Sequence, residues 1–182
     1  MMYMEKVWQK IKDEGLDRTL GFDYAGQIQA CSEIEIAELE KQVGLKLPLA
    51  YIEFLRWAGK GLGDFEFGSR FFYDDNLAEI QEIALEIMAA DELVGKTASP
   101  DKLPEDAFVF WMHEGYMFCF FRTSEGDDPP IHFFREGVNK INWNYKGYCF
   151  TDFLIVEMRD QARHIENARQ TEARLARDWQ NA

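Results

Sequence analysis

The chain has 182 residues, 47% of them hydrophobic and 15% aromatic, which is enough apolar mass to bury one sizeable core and argues against global disorder. Its 33 acidic residues against 20 basic ones leave a formal charge of −13, so phosphate backbones and anionic lipid are repelled at long range while a basic partner is attracted. Acidity also serves simple dispersal in solution, so charge alone does not separate that use from recognition.

Residues 3–14 put Val7, Trp8 and Ile11 on one face and charges on the other, which predicts a short amphipathic helix. Gly15, Gly21 and Gly26 break the pattern over 15–31, which reads as a connector. Ser32 and Glu35 have the spacing of a capping box, ahead of Ile36, Leu39 and Val43 at helical intervals, and Gly44 stops that helix. Leu47-Pro48 restarts the chain, because proline suits the first turn of a helix. Residues 49–58 (LAYIEFLRWA) then form the second helix of a pair, with Tyr51, Ile52, Phe54 and Leu55 available to bury, and Gly59, Gly61 and Gly63 end it.

Phe65 and Phe67 alternate with acids and Arg70–Tyr73 is a short aromatic run, so two strands are expected here. Helical spacing returns over 76–90, with Leu77, Ile80, Ala84, Ile87 and Met88 on one face and Glu79, Glu82 and Glu86 on another. The strongest strand signal is 107–122 (AFVFWMHEGYMFCFFR), a hairpin turning at Glu114-Gly115. Its apolar residues fill both alternation phases, so the pair belongs in the middle of a sheet covered on both faces. The loop SEGDDPP (124–130) leads to a third strand, IHFFRE, and a weaker aromatic stretch follows at 141–150. Thr151-Asp152 can cap a last helix carrying Phe153, Leu154, Val156 and Met158. That helix turns polar, with five arginines after residue 158 and a late Trp179; it either packs only at its start or runs long and projects.

Catalytic patterns are missing from the sequence. There is no phosphate-cradling glycine loop, no HExxH and no GxSxG, and His113, His132 and His164 lack metal-ligand spacing. Cys31, Cys119 and Cys149 form an odd set without CxxC, which suits buried thiols in a reducing compartment. Cys119 sits mid-strand between Phe118 and Phe120, where burial keeps a thiol inert. Asp74-Asp75 and Asp127-Asp128 are adjacent loop acids without the ligand count of a calcium loop. No metal or cofactor is therefore expected. The charged N-terminal stretch lacks the apolar region of a signal peptide and no window is apolar enough to span a membrane, so a cytoplasmic protein is expected.

Charge is uneven along the chain. Between Asp64 and Glu92 there are nine acids and one base, a balance of −8, whereas residues 151–182 hold six acids and five bases. A folded acidic face is one outcome of that asymmetry, and a merely solvated helix is the other.

Ser32, Glu40, Gly44, Leu47, Pro48, Tyr51, Phe54, Leu55, Gly59 and Gly61 together resemble the opening motif of the SUKH superfamily (the Smi/Knr-type domain): a capped helix, G-x-x-LP, Y-x-x-FL and a glycine exit. FVFWMHEGYMFCFFR followed by DDPPIHFFREG is similar to the aromatic hairpin around H-x-GY and the DPP strand of bacterial members. Phe150-Thr151-Asp152-Phe153-Leu154 resembles the F-x-x-FL that opens their last helix. The resemblance implies an α+β domain over 32–158, in which an N-terminal helix pair packs on an antiparallel sheet with a central aromatic hairpin. Residues 1–31 would add a helix and connector, and 159–182 a polar helical extension.

The resemblance also implies a non-catalytic protein-binding role, most often as an immunity protein that binds and neutralises a bacterial toxin, frequently a nuclease. Alternatives are an adaptor akin to fungal cell-wall assembly regulators and a small metal-dependent enzyme. The expected partner is a basic toxin domain, with no nucleic-acid or membrane binding and with a monomer or weak homo-oligomer in solution. Candidate contacts are Asp74, Asp75, Glu79, Glu82, Glu86, Asp127 and Asp128. The helix-pair and hairpin assignments predict that Leu55→Ala and Phe110→Ala each cost about 2–5 kcal/mol in a denaturant melt; parent-like stability for both would refute them.

Overall fold

The computed structural model describes residues 2–22, 28–63, 65, 69–70, 77, 79–94, 102–138 and 140–180. Within these, a four-stranded antiparallel sheet has the order β3-β4-β5-β6, formed by Ser69–Arg70, Ala107–His113, Met117–Arg122 and His132–Arg135. The hairpin β4-β5 is central, as its doubly apolar pattern predicts. Its turn places Glu114 at φ 47° and Gly115 at φ 72°, and the Tyr116 N–H donates to the His113 carbonyl at 3.2 Å. Glycine takes that left-handed backbone freely, whereas Glu114 adopts it against its preference.

A bulge interrupts the β4-β5 register between Val109 and Trp111. An extra residue there lets neighbouring side chains share a face that strict alternation would separate. Phe110 and Trp111 both reach Phe153, with ring centroids 5.2 and 6.2 Å away. On β4, the carboxamide of Gln81 pairs with the backbone of Val109 as a strand would: it donates to the Val109 carbonyl at 2.7 Å and accepts from the Val109 N–H at 2.9 Å. Gln81 belongs to helix α5 (Glu79–Val94), which is thereby strapped along β4.

The expected helix pair is α3 (Glu33–Val43) and α4 (Leu49–Ala58). The capping box forms at Ser32 and Glu35, and Gly44 closes α3 in the left-handed conformation at φ 70°. Glu40 then folds the turn, accepting from the Leu47 N–H at 3.0 Å and from Lys46 Nζ at 2.8 Å. Tyr51, Phe54 and Leu55 are completely buried. At Gly59, a Cβ would lie 2.6 Å from Cys31 Sγ and 2.7 Å from the Leu55 backbone, which explains the glycine at the motif's exit. Phe110 is also fully buried.

Residues 15–31 contain more structure than a connector. Helix α2 (Leu16–Leu20) buries Leu16 and Leu20 between glycines at φ 69° and 75°, and β1 (Ile28–Gln29) pairs with β2 (Gly61–Leu62). Both are too short to show a hydrophobic period, and tertiary contacts hold them. Of the strands expected between Phe65 and Tyr73, Ser69–Arg70 is β3, Phe65 is buried in a turn, and Phe67 and residues 71–73 lie outside the described residues.

Helix α1 (Met2–Asp13) buries Met4, Val7 and Ile11, with Trp8 against Trp57 of α4 at 5.6 Å. Its first turn is capped by a side chain far away in sequence. The buried carboxylate of Glu53 accepts from the N–H groups of Met2, Tyr3 and Met4 at 2.9, 2.7 and 3.0 Å. Helix α6 (Phe150–Gln180) crosses beside α1 and α2, and Arg159 forms a two-pronged bond to Glu14 at 2.6 Å for each prong. The body ends before this helix does: Ala162 is buried and Ile165 half-buried, while every residue from Glu166 to Trp179 is exposed.

Burial pushes the Glu53 carboxyl up, but the three backbone N–H donors outweigh it and hold the pKa below the usual 4.5. Glu14 is brought down to about 2, chiefly by its hydrogen bonds to Arg159. Depressed carboxylates contribute stability that is present above about pH 4.5 and lost as the pH falls through the folded-state values. Glu53→Ala should therefore cost about 1–3 kcal/mol at pH 7 by orphaning buried donors. Urea melts at pH 7, 5 and 3 should show the parent losing more stability between pH 5 and 3 than the variant; parallel losses would remove Glu53 from the account.

Candidate partner-binding surface

Helix α5 is amphipathic in the way its sequence predicts. Leu77, just before it, and Ile80, Ala84, Ile87 and Met88 are buried, while Glu79, Glu82 and Glu86 are exposed. Leu85 stands among these acids with 53% of its surface open. An exposed leucine beside these carboxylates makes a compact surface with an apolar contact and a single sign of charge. The packing of α5 on β4 and the double hydrogen bond of Gln81 fix its orientation, so the acids occupy a rigid element. Asp74 and Asp75 lie outside the described residues.

Asp127 and Asp128 are positioned elsewhere, between the starts of two helices, and they differ in role. The Asp127 side chain is exposed, while its backbone carbonyl accepts from the Ala50 N–H at 2.8 Å in the first turn of α4. The Asp128 carboxylate accepts from the Thr151 N–H at 3.0 Å and the Thr151 hydroxyl at 2.6 Å. Next along the loop, the Pro129 carbonyl accepts from the Phe150 N–H at 3.0 Å, and Pro130 bridges Cys149. Asp152 completes the cap by accepting from the Cys149 N–H at 3.4 Å. The loop thus satisfies helix-end donors that would otherwise lack partners. Its first acid is available at the surface, and its second holds α6 in place.

Beside this loop is a groove of about 530 Å³ between α1 and the start of α6, with Tyr3, Lys6, Lys10, Asp128, Tyr148 and Arg159 among its walls. Its mixed signs, with Arg159 bound to Glu14, give it no single-charge preference.

Each histidine has a structural or solvent setting. His132 is buried, its Nδ1 accepting from the Asn144 N–H at 3.0 Å and its Nε2 lying 2.8 Å from Glu125. That geometry places the proton on Nε2, donating to the carboxylate. His113 stacks on Trp111 at 5.9 Å with Nδ1 3.0 Å from Ser69 Oγ, and His164 is exposed on α6. Cys119 is buried, and burial pushes the Cys31 and Cys149 thiols up to about 11, leaving them protonated at neutral pH. Among the described residues no group of three or more His, Cys, Asp or Glu could hold a metal ion, and no helix is long and apolar enough to cross a membrane.

The two kinds of acid separate experimentally. Asp128→Ala should lower stability by about 1–2 kcal/mol, as loss of a helix cap does, while Glu82→Gln should leave the melting temperature at the parent's value. Equal effects in a thermal melt would mean that Asp128 is only a solvated loop acid.

No curated protein matches the chain with significance. A family model does: the SMI1/KNR4 family (SUKH-1) matches residues 30–155, from just before the α3 capping box to the first turns of α6. The match takes in the helix pair, the aromatic hairpin and the capping loop described above, and proteins of this family are generally non-catalytic, immunity-type binding modules. The chain belongs to the SMI1/KNR4 family (SUKH-1).

Proposed function

We propose that this chain is a cytoplasmic immunity protein that binds a toxin domain and neutralises it by occupancy, with a basic nuclease domain as the favoured partner. The observation that carries the reading is family membership over residues 30–155. The chemistry of the surface supports the partner's sign. A nuclease cleft must attract phosphate and is therefore basic, so an inhibitor with a charge of −13 is drawn toward it over several ångströms before contact.

Within that reading, the exposed α5 face supplies the first contact: Glu79, Glu82 and Glu86 steer, and Leu85 loses water on docking. Asp74 and Asp75 extend the same acidic stretch in sequence, and Asp127 is a second exposed carboxylate. Asp128 contributes indirectly, through the cap on α6. Neutralisation on this scheme needs no catalytic group, because a covered cleft cannot admit its substrate.

The test is association kinetics between this chain and a basic nuclease toxin domain, sought in the adjacent open reading frame, at low and moderate salt. Glu79→Lys/Glu82→Lys/Glu86→Lys should slow association about tenfold at low salt and flatten the salt dependence. The melting temperature should stay close to the parent's, because exposed carboxylates contribute little to folding. Unchanged on-rates at both salts would assign the contact to another face, and absence of binding by the parent would remove the immunity reading.

A further inference from the structure

Helix α6 carries one stripe along its whole length. Leu154, Met158, Ala162, Ile165, Ala168, Glu172, Leu175 and Trp179 follow one another at steps of three or four residues, the spacing of a single helical face. The body covers the first half of this stripe: Leu154 and Met158 are fully buried, Ala162 is 4% exposed, and Ile165 is packed against the core at its edge. Beyond the body the same face continues uncovered, with Leu175 49% and Trp179 82% exposed. An exposed helix of this length gains little stability in water from its backbone alone, so a stripe of apolar residues along it calls for a partner.

We propose that this partner is a second copy of the chain, with the two α6 helices pairing antiparallel through residues 165–179. Three observations select the second copy. First, the chain's charge of −13 opposes self-association over most of its surface, and residues 151–182, with six acids and five bases, form the segment where two copies approach with least repulsion. Second, the stripe carries one acid, Glu172, and Arg169 flanks it one turn earlier. Antiparallel pairing about a two-fold axis between residues 170 and 171 brings Glu172 of each copy to Arg169 of the other, neutralising both acids reciprocally. Third, the same register sets Leu175 and Ala176 against the partner copy's Ile165 and brings Trp179 beside its Gln161 and Ile165. Those two residues line a groove of about 560 Å³ whose wall includes the half-buried Trp111. The apolar residues that overshoot one body thus reach the edge of the other.

The experiment is sedimentation velocity of the full chain from low micromolar to high micromolar concentration. The parent should form a dimer, and Leu175→Ser/Trp179→Ser should be monomeric throughout while keeping the melting temperature that the parent has when dilute enough to be monomeric, since both side chains are exposed in the single chain. Arg169→Glu and Glu172→Arg should each weaken the dimer about tenfold by setting like charges opposite one another, and the double variant should restore it. A monomeric parent, or a dimer indifferent to the Leu175/Trp179 change, overturns the proposal. Failure of the double charge swap to recover dimerisation overturns the antiparallel register.

Discussion

Tyr51 stands where four elements meet. Its ring is 5.2 Å from Phe108 of β4, 5.4 Å from Phe121 of β5, 5.3 Å from Phe150 at the start of α6 and 6.0 Å from Phe54 of its own helix. Phe110 closes the cluster, edge-on to Phe150 and stacked on Phe121. Aromatic rings in offset and edge-on contact bury large areas and restrict one another's orientation. The helix pair, the hairpin and the last helix therefore fit only as a set. The Tyr51 hydroxyl is buried and, among the described residues, has no hydrogen-bond partner.

From that cluster the remaining organisation follows by satisfaction of backbone groups. The loop containing Asp127–Pro130 supplies acceptors to the first turns of both α4 and α6, so the two helices that meet at Tyr51 also share a cap. Glu53, one helical position before Phe54, reaches away from the cluster and closes the start of α1. The N-terminal helices are consequently bound to the family-matched part through a buried carboxylate and the Trp8–Trp57 contact, and to the part of α6 just beyond it through the Glu14–Arg159 pair. The α5 acids lie on the exposed side of their helix, away from this cluster.

Elements long enough to display a period were legible in the sequence. The Ser32–Glu35 box, the Leu47-Pro48 restart and the doubly apolar hairpin each combine a local signal with a length that supports it. Residues whose partners lie far along the chain were not. Glu53 sits amid Ile52 and Phe54, and a charged residue inside an apolar run signals a buried bond without naming its partner. Gln81 looks like an ordinary polar position on α5, and the Val109 bulge leaves no mark because every residue around it is apolar. Asp127 and Asp128 are identical in the sequence, and only the loop's path separates a surface carboxylate from a cap. Short α2 and β1 were hidden for a related reason: five and two residues are held by what they touch rather than by their own pattern.

The carboxamide of Gln81 has a further consequence for the life of this protein in a crowded solution. A strand with vacant N–H and C=O groups on its outer side is a template onto which any extended chain can add. Among the described residues β3 pairs β4 at Met112 and His113, and the hairpin is among the most apolar stretches of the chain. By occupying both backbone groups of Val109, one glutamine keeps them from an incoming strand. A side chain so placed guards one position of the sheet, which counts for more in a fold this rich in phenylalanine.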